Sequence, residues 1–204
     1  MIDRLNSFNS PSPILRRWFS VALSRIGAAV DSLGISPNTI TLIGLLPALI
    51  AAWLIGTGAL PLAGVVLILG APLDALDGAV ARAAGKVTPF GALLDSTVDR
   101  YADGLLFAAF TWYFAGRGET AGFLLTLIAW IGGFAVSYIR ARAEAAGLGS
   151  IQGGLFDRLV RMLMLIGMLL SGWLLPGMLI LAVGTQATAL QRLLLAAKAG
   201  KLSL

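Results

Sequence analysis

Four aspartates in two short runs hold most of the chemistry this sequence offers. Asp74 and Asp77 lie three residues apart in Asp74-Ala-Leu-Asp77-Gly78-Ala-Val-Ala81-Arg82, and Asp95 and Asp99 lie four apart after Gly91. On a helix, spacings of three and four put side chains on one face. The connection Gly85-Lys86-Val87-Thr88-Pro89 is short, so two antiparallel helices are expected to turn their acids toward one place. Carboxylates gathered in an apolar chain repel one another and need either Arg and Lys or bound cations beside them. An ion-paired network with Arg82, Lys86 and Arg100 would be the purely structural solution. It would not require Gly78 and Gly91 beside the acids, where they leave the helix surfaces bare for a bulky ligand. The sequence has no His and no Cys, so any metal site uses hard oxygen donors, which select Mg²⁺, Mn²⁺ or Ca²⁺ over zinc or copper. A pair of such ions neutralising phosphate oxygens is the recurring arrangement of phosphoryl transfer.

The elements that must position these acids belong in a bilayer. The 204 residues are 58% hydrophobic and only 12% charged, far from the mix of a soluble domain. No charged residue occurs from Ser32 to Leu73, and Gly56, Gly58 and Pro61 interrupt that run midway, which predicts a hairpin of spans at about 38–57 and 61–82. Further uncharged runs predict a third span ending near Gly116, a fourth from about Ala121 to Ile139, and a fifth and sixth folded at Gly172, Pro176 and Gly177. The fold class is therefore an all-α integral membrane protein of six transmembrane helices. Residues 1–34 read as an N-terminal interfacial amphipathic helix, with Arg16, Arg17 and Arg25 set among Leu15, Trp18, Phe19 and Ile26. A transmembrane domain over 35–197 and a short basic tail over 198–204 complete the organisation.

Six spans with the N-terminus inside place every one of the 15 Lys and Arg residues except Arg117 at or near the cytoplasmic side, as the positive-inside rule requires. The expected location is the cell membrane, multi-pass, with the acids at its cytoplasmic edge. The basic balance then serves anionic lipid head groups and phosphate substrates rather than nucleic acid.

The stretch from Asp74 to Asp99 resembles the full signature of the CDP-alcohol phosphotransferases, D-x-x-D-G-x-x-A-R followed by G-x-x-x-D-x-x-x-D, without gap or substitution. The resemblance implies six transmembrane helices, a homodimer, and attack of a hydroxyl on the β-phosphate of a CDP-linked lipid with release of CMP. It implies that Asp74, Asp77, Asp95 and Asp99 hold Mg²⁺ or Mn²⁺, two ions in all, and that Asp99 is also the general base. Asp74, Gly78, Ala81, Arg82 and Gly91 would line the CDP site. Asp103 falls outside the signature and reads as a helix-surface or second-shell acid. The element Ser36-Pro37-Asn38-Thr39-Ile40-Thr41 also looks like the family's P-N-x-x-T start, although Ser or Asn before an apolar run is a normal helix cap.

The segment from Ser137 to Leu148, with Gly153-Gly154 and Gln191-Arg192-Leu193, is similar to actinobacterial phosphatidylinositol phosphate synthases. That likeness implies CDP-diacylglycerol as donor and inositol phosphate as the phosphorylated polyol acceptor. Arg140, Arg142, Arg158, Arg161 and Arg192 are the expected acceptor-phosphate ligands, because guanidinium groups grip phosphate bidentately. Those enzymes tend to carry E-R-P-E-R where this chain reads Asp157-Arg158-Leu159-Val160-Arg161. A glycerol 3-phosphate acceptor, as in phosphatidylglycerophosphate synthases, therefore stays open. A cation transporter is the alternative of another class, since intramembrane acids often mark ion paths. Against it, every acid except Glu119 lies near one membrane face. If Asp99 is the base, Asp99→Asn retains CDP-lipid binding and loses transfer. A binding assay beside a CMP-release assay checks this, and near-normal turnover would remove Asp99 from the role.

Overall fold

The computed structural model describes Gly34, Ser36–Ala83, Gly85, Val87–Ile151 and Gly153–Leu202, apart from the side chains of residues 73–79, 83 and 201–202. The expected interfacial helix over 1–34 falls outside these residues. Everything regular among the described residues is α-helical: α1 Pro37–Ile43, α2 Leu45–Thr57, α3 Leu60–Ala83, α4 Pro89–Ala115, α5 Thr120–Ala145, α6 Arg158–Ser171 and α7 Leu174–Leu202.

Local chemistry explains where these helices start and stop. Ser36 caps α1, accepting a hydrogen bond from the Thr39 backbone N–H at 3.2 Å, with Pro37 as the first helical residue. Thr88 does the same for α4, its Oγ1 accepting from Gly91 N–H at 3.0 Å ahead of Pro89. Asp157 caps α6 through Val160 N–H at 3.0 Å. Each cap satisfies an N–H that has no partner within the helix. Between α6 and α7 the chain reverses at Gly172, whose φ of 75° suits a residue without a Cβ. The break expected at Gly172, Pro176 and Gly177 is thus confined to the first of them. Pro176 and Gly177 lie in the opening turns of α7, where a missing N–H costs nothing. The residues expected to form a basic tail from 198 continue α7 through Leu202. Likewise α5 runs on to Ala145, past the end of its apolar stretch near Ile139.

The chain divides into two compact units, Met1–Gly44 with Gly70–Val98, and Leu45–Leu69 with Asp99–Leu204. Helix α3 passes from the second unit into the first at Gly70, two residues before its interior Pro72. A proline there removes one helical hydrogen bond. The second unit has a core of Ile55, Ala63, Leu106, Phe110, Phe114, Leu169, Met178 and Leu181. Its outer face also carries large apolar side chains, with Trp53, Trp112 and Trp173 each more than two-thirds exposed. A helix bundle that is hydrophobic on both sides is suited to lipid. Among the described residues, three stretches are long and apolar enough to cross a membrane: Pro37–Thr57, Thr120–Ala145 and Leu174–Gly200.

Helices α5 and α7 approach closely, the side chains of Thr185 and Gln186 on α7 lying against bare backbone of α5. Gln186 Nε2 donates to the Ile128 carbonyl at 3.0 Å, and Thr185 Oγ1 lies 3.4 Å from the Ala129 carbonyl. A Cβ added at Gly132 would stand 2.8 Å from Thr185 Cβ and 3.1 Å from the Gln186 backbone nitrogen. Small residues permit this approach, which in lipid supplies packing that apolar burial does not. Gly132→Val should therefore cost about 1–3 kcal/mol, seen as a lower thermal midpoint in detergent with helical circular dichroism retained.

Candidate active site

In the first unit, the starts of α1 and α4 meet the end of α3 around a cleft of about 270 Å³. Its walls are Pro37, Asn38 and Thr41 from α1, Ala81 and Arg82 from the end of α3, and Val87, Thr88, Gly91, Ala92 and Asp95 around the start of α4. Four residues expected in the CDP and metal sites, Ala81, Arg82, Gly91 and Asp95, are thereby brought together. The structure adds Asn38 and Thr41 from the P-N-x-x-T element, more than forty positions earlier in the chain than Arg82. The short Gly85–Thr88 connection does what its length implies, setting the end of α3 beside the start of α4. Thr88 serves twice, as helix cap and as wall.

Gly91 is bare for a visible reason. A Cβ there would lie 3.1 Å from Thr88 Oγ1 and 3.4 Å from Asn38 Oδ1. The cleft thus offers amide and hydroxyl groups, one guanidinium, one carboxylate and the first turn of α4. Backbone N–H groups and the helix dipole make such a first turn favourable to phosphate. The backbone of α3 carries Asp74, Asp77 and Gly78 at their expected helical spacing, but their side chains, like Lys86, lie outside the described residues. Among the described residues no three acids gather closely enough to hold a metal ion.

The second unit contains a ladder of acids and arginines. Asp99 and Asp103 occupy successive turns of α4; Arg158 and Arg161 occupy the first turns of α6. Arg158 Nη2 meets Asp99 Oδ1 at 2.8 Å, and Arg100 Nη2 approaches Asp99 Oδ2 at 3.4 Å. Arg161 Nη2 meets Asp103 Oδ2 at 2.7 Å, and its Nη1 donates to the Phe156 carbonyl at 3.2 Å. The surface reading of Asp103 is thereby corrected, because this carboxylate is buried. Its partner Arg161, one of the expected acceptor-phosphate ligands, is buried against it, since a charge placed among apolar helices is tolerable only beside its counter-charge.

The remaining expected phosphate ligands divide in two. Arg192 is also buried, with Nε donating to the Gly153 carbonyl at 2.9 Å and Nη1 to the Val136 carbonyl at 2.8 Å. Of its five N–H donors, one on Nη1 and the two on Nη2 lie outside these bonds. Arg140 and Arg142 are exposed near the end of α5, where Arg140 pairs with Glu144 at 3.2 Å and Ser150 donates to the same carboxylate oxygen at 2.9 Å.

The model of the CDP-alcohol phosphatidyltransferase family matches residues 34–192. The chain belongs to that family. Its membership makes the protein a membrane transferase and sets aside the transporter reading. The chain is 40% identical to the archaetidylinositol phosphate synthase of Pyrococcus horikoshii, over 83% of this chain and 88% of the relative. It is also 40% identical to the phosphatidylinositol phosphate synthase of Mycobacteroides abscessus, over 87% of this chain and 84% of that one. Among solved structures it resembles Mycobacterium tuberculosis phosphatidylinositol phosphate synthase with CDP-DAG bound, at a TM-score of 0.80 and 32% identity over 85% of this chain and 92% of that one. The same enzyme in complex with manganese and citrate matches at a TM-score of 0.79 and 34% identity, over 85% and 88% of the two chains.

Within a transferase of this family, the crowding at Gly91 becomes testable. Alanine suits a helix better than glycine by about 0.5–1 kcal/mol, so Gly91→Ala should melt no lower than the parent. Its KM for a CDP-alcohol donor should nevertheless rise several-fold as the new methyl displaces Thr88 and Asn38. An unchanged KM would take Gly91 out of the cleft's working surface.

Proposed function

We propose that this transferase moves the phosphatidyl group of CDP-diacylglycerol to a hydroxyl of inositol phosphate and releases CMP. The observation that carries the proposal is the cleft, because it unites Ala81, Arg82, Gly91 and Asp95 of the acidic signature with Asn38 and Thr41. The acceptor assignment rests on the relatives. Their names differ in the lipid, archaetidyl in one and phosphatidyl in the other, and share inositol phosphate.

The cytidine diphosphate occupies the cleft, with Arg82 clamping a phosphate and Gly91 allowing its approach to the start of α4. Asp74, Asp77, Asp95 and Asp99 hold two divalent ions, Mg²⁺ or Mn²⁺, a choice that suits an all-oxygen donor set. When bound, these ions neutralise the diphosphate and ease departure of CMP. Asp99 accepts the proton of the acceptor hydroxyl. The hydroxyl oxygen forms a new bond to the phosphorus carrying the diacylglycerol, and the bond from that phosphorus to the bridging oxygen breaks, leaving with CMP. Arg158 supports this geometry, being paired with Asp99 while its side chain stays a quarter exposed. It can grip the acceptor phosphate and bring the hydroxyl toward the base. Arg192, oriented by two carbonyls, and the exposed Arg140 and Arg142 complete the acceptor side.

The catalytic domain spans 35–197 and crosses the cytoplasmic membrane six times, with the site facing the cytoplasm and the protein a homodimer. The distribution of basic residues supports that orientation.

A product assay with CDP-diacylglycerol and a panel of inositol phosphate, glycerol 3-phosphate, serine and free inositol tests the reaction. CMP release with inositol phosphate is expected, stopped by a chelator and restored by Mg²⁺ or Mn²⁺. Product only with glycerol 3-phosphate would transfer the assignment to that acceptor, in keeping with Asp157-Arg158-Leu159-Val160-Arg161. Failure with both phosphorylated acceptors would overturn the use made of the arginines.

A further inference from the structure

The two rungs of the acid–arginine ladder differ in a way that assigns them different jobs. In the pair Arg158–Asp99 the side chains are 25% and 14% exposed. In the pair Arg161–Asp103 they are 2% and 11% exposed. The first rung faces out, toward whatever approaches Asp99; the second is sealed. Three separate elements meet at the sealed guanidinium. Asp103 contributes its carboxylate from α4, Phe156 its carbonyl from the segment leading into α6, and Gly133 a bare stretch of α5 backbone. A Cβ at Gly133 would lie 3.1 Å from Arg161 Nε and 3.3 Å from Cδ, so the arginine stem lies flat where any larger residue would lift it.

We propose that Asp103 and Arg161 are positioning residues, whose buried pair sets the register of α6 against α4 and thereby holds Arg158 on Asp99 in the orientation that receives the acceptor phosphate. The geometry for this is strict. Each residue of an α-helix advances about 1.5 Å and turns about 100°. A slip of one residue at Arg161 would therefore swing Arg158, three positions earlier, off Asp99. The charge-assisted bond at 2.7 Å fixes the rotation of α6, and the bond to Phe156 fixes where the helix is entered. The consequence is specificity: the pair touches no substrate, yet it determines acceptor affinity while leaving the nucleotide cleft alone. The inference rests on the reading of the chain as a transferase with a phosphorylated acceptor.

The experiment must separate positioning from simple stability. Asp103→Asn leaves a buried guanidinium without its counter-charge and is expected to lower the melting temperature, which alone decides nothing. The double variant Asp103→Leu/Arg161→Met replaces the pair with apolar groups of similar volume, an exchange that often preserves or raises stability. In that variant the melting temperature should return to the parent's, while KM for inositol phosphate rises at least tenfold and KM for CDP-diacylglycerol stays within twofold. Arg161→Lys serves as the second test. It keeps the charge but cannot serve Asp103 and Phe156 together in the guanidinium's fork, so a smaller rise in acceptor KM is expected. Wild-type acceptor KM in either variant once folded would overturn the proposal. So would loss of folded protein in both, which would make the pair purely structural. Absence of CMP release from the parent enzyme with every phosphorylated acceptor would instead be a failure of the functional reading, and is seen before any variant is made.

Discussion

Charge in an apolar chain is the constraint from which the rest of this structure follows. A carboxylate among membrane helices is costly unless a cation stands beside it. In the second unit the cation is an arginine each time: Arg158 and Arg100 for Asp99, Arg161 for Asp103. These bonds tie α4 to α6 across nearly sixty residues of sequence. Backbone carbonyls add to this, at Phe156 for Arg161 and at Gly153 and Val136 for Arg192. The connection between α5 and α6, which is mostly irregular, is held in place by the same guanidiniums, with Phe156 N–H also reaching Thr188 Oγ1 at 3.3 Å.

Against that background the cleft of the first unit is a different kind of place. Its walls are small or neutral at most positions, and its charged members are one acid and one arginine, Asp95 and Arg82. The helix caps give it shape. Ser36 and Thr88 fix the starts of α1 and α4, so that Asn38, Thr41 and Gly91 stand at defined places on the first turns. Capping, usually discussed for stability, here also determines which side chains line a binding cavity.

The sequence made the acids legible because their spacing is local: three and four residues are one helical turn, and a turn is a property of a short string. The turns at Gly58 and Gly172 were legible for the same reason, since a glycine-rich break in an apolar run can be seen without its partners. Hydropathy was less informative about helix length. It follows the apolar layer, which ends near Ile139, whereas Arg140, Arg142 and Glu144 simply continue the helix beyond that layer. What could not be read was pairing at a distance. Asp103 continues the four-residue rhythm of Asp95 and Asp99, a hint that it faces the same way, but nothing near it identifies Arg161. The five arginines looked equivalent in the string because positive-inside flanking, phosphate binding and burial beside an acid all use the same side chain.

The two ways in which arginine is anchored here leave different marks on descent. Arg192 is held by carbonyls of Gly153 and Val136, and every amino acid has a carbonyl, so lineages are free to drift at positions 136 and 153 as far as this bond is concerned. Arg161 depends on the Asp103 carboxylate, a group that most substitutions abolish. A change at 103 or 161 alone therefore strands a buried charge, whereas exchanging both removes it.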